Sequence, residues 1–251
     1  KVFDDKMLLP FELREVAWSI IEPLTRDPEP DLDYEQKYGG TNSDPFTLSI
    51  NTVRGKAMHA VMHYAMWVCR RIEKEVRDRR GSGPSFDELP EVLKVLESHL
   101  DPTVEPTQTI RAVYGEWLPQ LVHISPDWVR KNLARMFPAD PQSRSRRDAA
   151  WHSYLQYSGL YNQVYEITKG IYAEEVRALS GKASEAEDRR NPETRLVEHV
   201  VVLYIRGRTD LSDGSLIDIL FRTAPPALTY HAMDFIGRSS SGDTPIDRQV
   251  V

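Results

Sequence analysis

Along most of the chain apolar residues recur every three or four positions, the spacing of a helix with one buried face, and strand-like alternation is scarce. After Pro10, for instance, Phe11, Leu13, Val16, Ala17, Ile20, Ile21 and Leu24 mark such a face. Read this way, the pattern predicts helices at roughly 11–24, 45–79, 86–100, 106–122, 126–137, 144–157, 160–179, 192–206, 212–222 and 225–236. Start signals support several of them. Asp44-Pro45 joins an acidic side chain able to accept from orphan amides to a proline at the first helical position, where no N–H is needed. Glu105-Pro106, Ser125-Pro126-Asp127, Asn191-Pro192-Glu193 and Ala224-Pro225 repeat the device, and Ser85 with Glu88 has the spacing of a capping box.

Between the first two helices, residues 25–43 carry Pro28, Pro30, Gly39, Gly40 and five acids, and read as a long polar loop, a candidate mobile insertion. After Gly237 the run Arg238-Ser-Ser-Ser-Gly-Asp-Thr-Pro offers nothing to bury and reads as a flexible tail. The expected organisation is an N-terminal helix and polar loop at 1–43, a helical-repeat domain at 44–237 and a tail at 238–251. Short connections favour antiparallel neighbours, and unequal helix lengths favour a degenerate repeat. The expected fold class is therefore all-α, an antiparallel helical array of the HEAT-like α-solenoid kind.

Composition narrows the function classes. Hydrophobic residues make up 40% and charged residues 28% of the 251, enough for a core and a solvated surface. Lysine plus arginine total 32 against 38 acids, a net charge of −6, which disfavours a general nucleic-acid surface while leaving room for a local basic patch. Cys69 is the single cysteine, so no internal disulfide or thiolate metal cluster forms, and a reducing, cytoplasmic setting is expected. The longest apolar stretches, such as 200–205, fall far short of the ~20 residues that cross a bilayer. The chain begins at Lys1 without a charged-then-apolar leader and reads as an excised piece of a larger protein.

Residues 51–67 are the most distinctive stretch. On a wheel of about 100° per residue from Ile50, the residues Val53, Ala57, Val61, Tyr64, Val68 and Ile72 share one line, marking an inner helix. Arg54 lands about 40° from Ile50, inside the apolar arc, where a charge requires pairing. An acid or helix C-terminal carbonyls are the expected partners, with ligand recognition as the alternative. Gly55 beside it is expected to admit a second helix at close range.

His59 and His63, one turn apart on the polar arc, have the separation of a two-histidine metal site, but no glutamate follows the first as in HExxH and no third ligand is evident. The expectation is that they face solvent or a second layer and hold no metal. Arg144, Arg146 and Arg147 precede Trp151, Tyr154, Tyr157, Tyr161, Tyr165 and Tyr172, a basic-plus-aromatic order that binds single strands in some proteins. Interhelical packing explains the same spacing, and is preferred. The charge run 70–80 alternates in sign and reads as internally paired. No GxxxxGK[ST], GxGxxG or GxSxG motif occurs, and the carboxylates show no paired pattern.

Three stretches carry a resemblance: Asp44-Pro45 with Ser49-Ile-Asn-Thr-Val-Arg-Gly on to Trp67; Arg111-Ala-Val-Tyr-Gly-Glu-Trp-Leu-Pro-Gln-Leu with Ser125-Pro126-Asp127-Trp128-Val129; and Trp151-His-Ser-Tyr-Leu. Together they resemble the helical C-terminal regions of large bacterial antiviral defence proteins, including STAND-type NTPases and sirtuin-linked proteins. In those, repeats sense phage components while a separate domain supplies the enzyme. The resemblance implies a non-catalytic sensor without a cofactor, whose partners are a protein ligand such as a phage component and other domains of its parent chain. Binding residues in this reading are drawn from Arg54, His59, His63, Arg144, Arg146, Arg147, Tyr154 and Tyr157. The rival readings are a helical metal-dependent hydrolase using His59 and His63 with an acid from elsewhere in the chain, and a nucleic-acid-binding helical domain using 144–165.

Overall fold

Most of the capping signals form where the sequence places them. The Asp44 carboxylate accepts from the Thr47 amide at 2.8 Å, Ser125 from Trp128 at 3.3 Å and Asn191 from Glu193 at 2.9 Å, and Ser85 with Glu88 closes the capping box. The computed structural model describes residues 9–40, 43–79, 84–181 and 191–240, and the described residues hold thirteen α-helices and no strand. The chain is all-α, as its apolar spacing predicts. In order the helices are α1 Arg14–Leu24, α2 Leu32–Tyr38, α3 Pro45–Ser49, α4 Val53–Arg79, α5 Pro90–Leu100, α6 Gln108–Glu116 and α7 Leu118–Ile124. There follow α8 Pro126–Met136, α9 Arg144–Tyr157, α10 Asn162–Ala178, α11 Pro192–Ile205, α12 Leu216–Thr223 and α13 Pro226–Ser240. No helix of the described residues is long and apolar enough to cross a membrane.

Several boundaries differ from the expected ones for local reasons. The helix expected at 45–79 divides into α3 and α4 around residues 50–52, and the turn brings the backbone of Ser49 against Gly55. A Cβ there would stand 2.1 Å from the Ser49 carbonyl oxygen. The helix expected at 106–122 divides at Trp117, where Pro119 enters the first turn of α7 and cannot donate to the preceding turn. Its start also moves: Glu105-Pro106 is not the cap, and Thr107 occupies that position instead. The helix expected from residue 86 begins as a 3-10 turn, Phe86–Glu88, before α5.

The polar segment 25–43 contains a helix that the pattern does not predict. Asp31 caps α2 through the Tyr34 amide at 2.7 Å, and the Glu35 carboxylate accepts from the Gln108 and Thr109 amides, the free donors at the start of α6. The expected tail at 238–251 overlaps the last turn of α13 up to Ser240, and the rest of it lies outside the described residues, as does part of the charge run 70–80.

The chain divides into two compact units, Lys1–Tyr154 and Leu155–Val251. In the first, α4 is central and packs against α1, α3, α5, α6 and α7. Met58, Val61, Ala65, Val68 and Cys69 have no exposed surface. Arg14 of α1 donates to the Tyr64 hydroxyl at 2.9 Å and to Glu91 at 2.7 Å, joining α1, α4 and α5. Only Ile21 of α1 is buried; Val16, Ile20 and Leu24 remain exposed, as does Leu13 just before the helix.

Arg54 makes a largely buried ion pair in this unit. Its Nε lies 3.0 Å from Glu105 Oε2, its Nη2 3.3 Å from Oε1, and its remaining donors reach the carbonyls of Asp27 and Pro30. Glu105 is 1% exposed as a side chain against 11% for Arg54, and it also accepts from Thr107 and pairs with His99 Nδ1 at 3.1 Å. Burial alone raises a carboxyl pKa, but the hydrogen bonds from His99 and Thr107 and the Arg54 charge outweigh it and hold Glu105 below the ordinary range.

In the second unit α11 is the buried helix, with Val197, Val200, Val201 and Leu203 fully enclosed. His199 of α11 shares a 2.7 Å hydrogen bond with the Tyr172 hydroxyl of α10. Burial, reinforced by Arg195 and Arg206, lowers its pKa from 6.5 to about 3, so the folded state keeps it neutral.

Two outcomes test these assignments. Arg54→Met leaves Glu105 buried without its cation and is expected to cost roughly 3–5 kcal/mol in urea unfolding, part of it recovered by adding Glu105→Leu. For His199, the unfolded chain binds a proton below pH 6.5 that the folded chain refuses, so stability falls with pH from there toward about 3. His199→Asn is expected to lose about 2 kcal/mol less than the native chain between about pH 7 and pH 5 in urea midpoints.

Candidate anion-binding site

The two histidines of α4 do not converge on an open position. Ser49 Oγ donates to the Phe46 carbonyl at 2.7 Å, so it accepts from His59 Nε2 at 2.8 Å, and His59 Nδ1 accepts from Trp117 Nε1 at 2.9 Å. Both ring nitrogens are engaged in holding α3, α4 and the Trp117 corner together, with Glu116 3.2 Å from Nδ1. His63 stands edge-on to Trp117, ring centroids 4.8 Å apart. Among the described residues no group of three or more His, Cys, Asp or Glu is placed to hold a metal ion.

The arginines and aromatics of 144–157 do not form one surface. Steps of about 100° send Arg144, Arg146 and Arg147 in three directions. Arg144 pairs with Asp148 at 2.8 Å, Arg147 is buried, and Arg146 lines a cleft. Trp151 and Tyr154 are buried in the first unit, where Trp151 meets the Phe137 ring at 6.1 Å. Tyr165 and Tyr172 are buried in the second, and Tyr157 and Tyr161 are exposed. Arg54 is the core ion pair described above.

The cleft beside Arg146 has a volume of about 410 Å³. Arg111 of α6, Arg135 of α8 and Arg146 of α9 line it, with Asp101 after α5 and Asp140 and Ser143 before α9. Its depth follows from how α6 is built. Every residue from Thr109 to Gly115 is buried, and Gly115 admits α9 so closely that a Cβ would stand 1.8 Å from the Ala150 carbonyl oxygen. Arg111, in the middle of this helix, is 2% exposed.

Among the described residues each of the three guanidinium groups is hydrogen-bonded only to neutral oxygens. Arg111 Nη1 donates to the Arg135 carbonyl at 3.2 Å, while its buried Nε finds no partner. Arg135 donates to Asn132 Oδ1 at 2.8 Å and to the Glu97 carbonyl at 3.1 Å, and Arg146 donates to the Ser143 hydroxyl. Among the described residues none of the three has an ion pair. Burial lowers the Arg111 pKa; the Tyr114 and Glu105 fields act against that and the Arg146 and Arg135 charges with it. The two aspartates are anchored by their own turns: Asp101 Oδ1 accepts from the Thr103 amide at 2.9 Å and Asp140 Oδ1 from the Ser143 amide at 2.9 Å.

No family model, curated protein or solved structure matches this chain. The site therefore stands on its own geometry. Of its three arginines, sequence reasoning singled out Arg146 and passed over Arg111 and Arg135. The signal for Arg111 was the one that exposed Arg54, a lone charge within an apolar run, here between Ile110 and Ala112-Val113.

A residue held for a ligand and a residue held for stability respond oppositely to removal of charge. Arg111→Met, which substitutes an apolar chain of similar length, is expected to leave the unliganded protein unchanged or about 1 kcal/mol more stable in thermal or urea unfolding. A loss of about 3 kcal/mol or more, the cost of breaking a buried ion pair, would show that Arg111 serves the fold as Arg54 does.

Proposed function

We propose that this chain is a non-catalytic recognition module that binds an anionic ligand in the Arg111 cleft and signals its occupancy to neighbouring parts of a larger protein. The observation that carries this is Arg111 itself, a cation 2% exposed whose only hydrogen bond among the described residues is to a neutral carbonyl. The carbonyl belongs to the last turn of α8, and it and the Tyr114 ring return part of the cost of burial, but a buried cation costs several kcal/mol and among the described residues no carboxylate meets this one. An incoming anion supplies the missing partner. The cleft also draws on α6, α8 and α9, so a ligand that touches all three arginines favours one packing of these helices over others.

In its architecture we read the chain as a HEAT-like antiparallel array, and in its setting as the sensing portion of a bacterial antiviral defence protein located in the cytoplasm. The short capped helices and the resemblance of the three quoted stretches support that reading. A hydrolase built on His59 and His63 has less support, because both nitrogens of His59 are committed to Ser49 and Trp117.

Thermal unfolding with sulfate, phosphate and citrate, each against chloride at equal ionic strength, tests the recognition reading. Anions of this kind stabilise most proteins by exclusion from the surface, so the diagnostic quantity is the difference from Arg111→Met. At about 100-fold excess over Kd a specific site adds about 2.7 kcal/mol to the native chain and nothing to the variant. Equal responses of the two proteins would contradict the proposal.

A further inference from the structure

The cleft contains more than positive charge, and its composition discriminates among anions. A carboxylate has two acceptor oxygens and one charge, and a single guanidinium fork satisfies it. A phosphate monoester carries a charge of roughly −1.5 to −2 and three strong acceptor oxygens, a demand that matches three arginines contributed by three different helices. Lysines, which act as point charges, are absent from this lining, so recognition rests on planar forks.

Asp101 and Asp140 bear on the rest of the ligand. Each lines the cleft and has Oδ1 occupied by a backbone amide of its own turn, which fixes the carboxylate in place and leaves Oδ2 with acceptor capacity. Two fixed acidic acceptors beside three arginines repel a ligand with carboxylates along its length, and accept from hydroxyl groups. The volume of about 410 Å³ lies in the range of sites for small molecules. With Arg111 innermost and a net chain charge of −6, a polymeric nucleic-acid backbone is a poor fit.

Resting on the recognition reading above, we infer that the cleft takes a small hydroxylated phosphate monoester, of the sugar-phosphate or mononucleotide class, with its phosphate on Arg111, Arg135 and Arg146 and its hydroxyls toward Asp101 and Asp140.

Isothermal titration of the whole chain at low ionic strength tests the inference, with inorganic phosphate, ribose 5-phosphate, adenosine 5′-monophosphate, citrate and a glutamate hexapeptide as probes. Ribose 5-phosphate is expected to bind about 10-fold tighter than inorganic phosphate, one or two added hydrogen bonds' worth. The mononucleotide should bind at least as tightly as ribose 5-phosphate if the base is held too, and less tightly if the sugar phosphate alone is the ligand. Arg111→Met is expected to weaken either ester by about 30-fold or more, and Arg135→Gln or Arg146→Gln, nearer the surface and safe for folding, by about 10-fold each. Asp140→Asn should act in two directions at once, tightening inorganic phosphate while erasing the advantage of the ribose ester. If citrate or the hexapeptide binds as tightly as the esters and still depends on Arg111, the phosphate assignment is overturned and the recognition reading stands. If no probe binds, or binding is indifferent to all three arginines, both are overturned.

Discussion

Arg54 and Glu105 form the contact on which the first unit most depends, because each is too deeply placed to remain charged alone. The arginine starts from α4, reaches the carbonyls of Asp27 and Pro30, and ends on an acid that also accepts from His99 and Thr107. One ion pair thereby ties the segment before α2, the central helix, the end of α5 and the approach to α6. Glu35 adds a second tie, from α2 to the amides of α6. A segment rich in proline, glycine and acid is thus part of the packing, held by its backbone oxygens and one carboxylate more than by apolar side chains.

Within the same unit Arg111 of α6 is the exception. It is at least as buried, lies in an apolar helix, and has neutral oxygen where Arg54 has a carboxylate. Both arginines obey the same electrostatics, in which a buried cation is costly until an anion meets it. The protein supplies the anion in one case. In the other, Glu105 and Tyr114 act on the cation through their fields without a hydrogen bond to it, and Arg135 and Arg146 add like charge beside it, which raises the gain when a ligand anion arrives.

How much of this was legible in the sequence depends on the range of the interaction. The all-helical class, the central helix and the interior placement of Arg54 and Gly55 follow from periodicity, which is local. The turn between α3 and α4 is accommodated by Gly55 against Ser49, and α6 parts from α7 at a single proline, details that apolar spacing does not encode. Glu105 was read as a helix start because it precedes Pro106, whereas its partner is 51 residues away. Helix α2 escaped notice since its cap, Asp31, sits among turn-forming residues, and its most telling contact is with α6. Arg111 and Arg135 were passed over for a similar reason: a charge is revealing only when its surroundings are known, and those come from four separate segments. Arg144 and Arg147, adjacent to Arg146 in sequence, turned out to have other neighbours.

The central claim is that the protein keeps one buried arginine for an external anion and another for its own. The guanidinium Nε–H resonances of the two in a nitrogen–proton correlation spectrum test it directly, recorded with phosphate and with chloride at equal ionic strength. The Arg111 signal is predicted to shift and gain protection from exchange with solvent as phosphate is added, while the Arg54 signal stays in place. An unmoved Arg111 signal, or shifts of equal size at both arginines, would contradict the account.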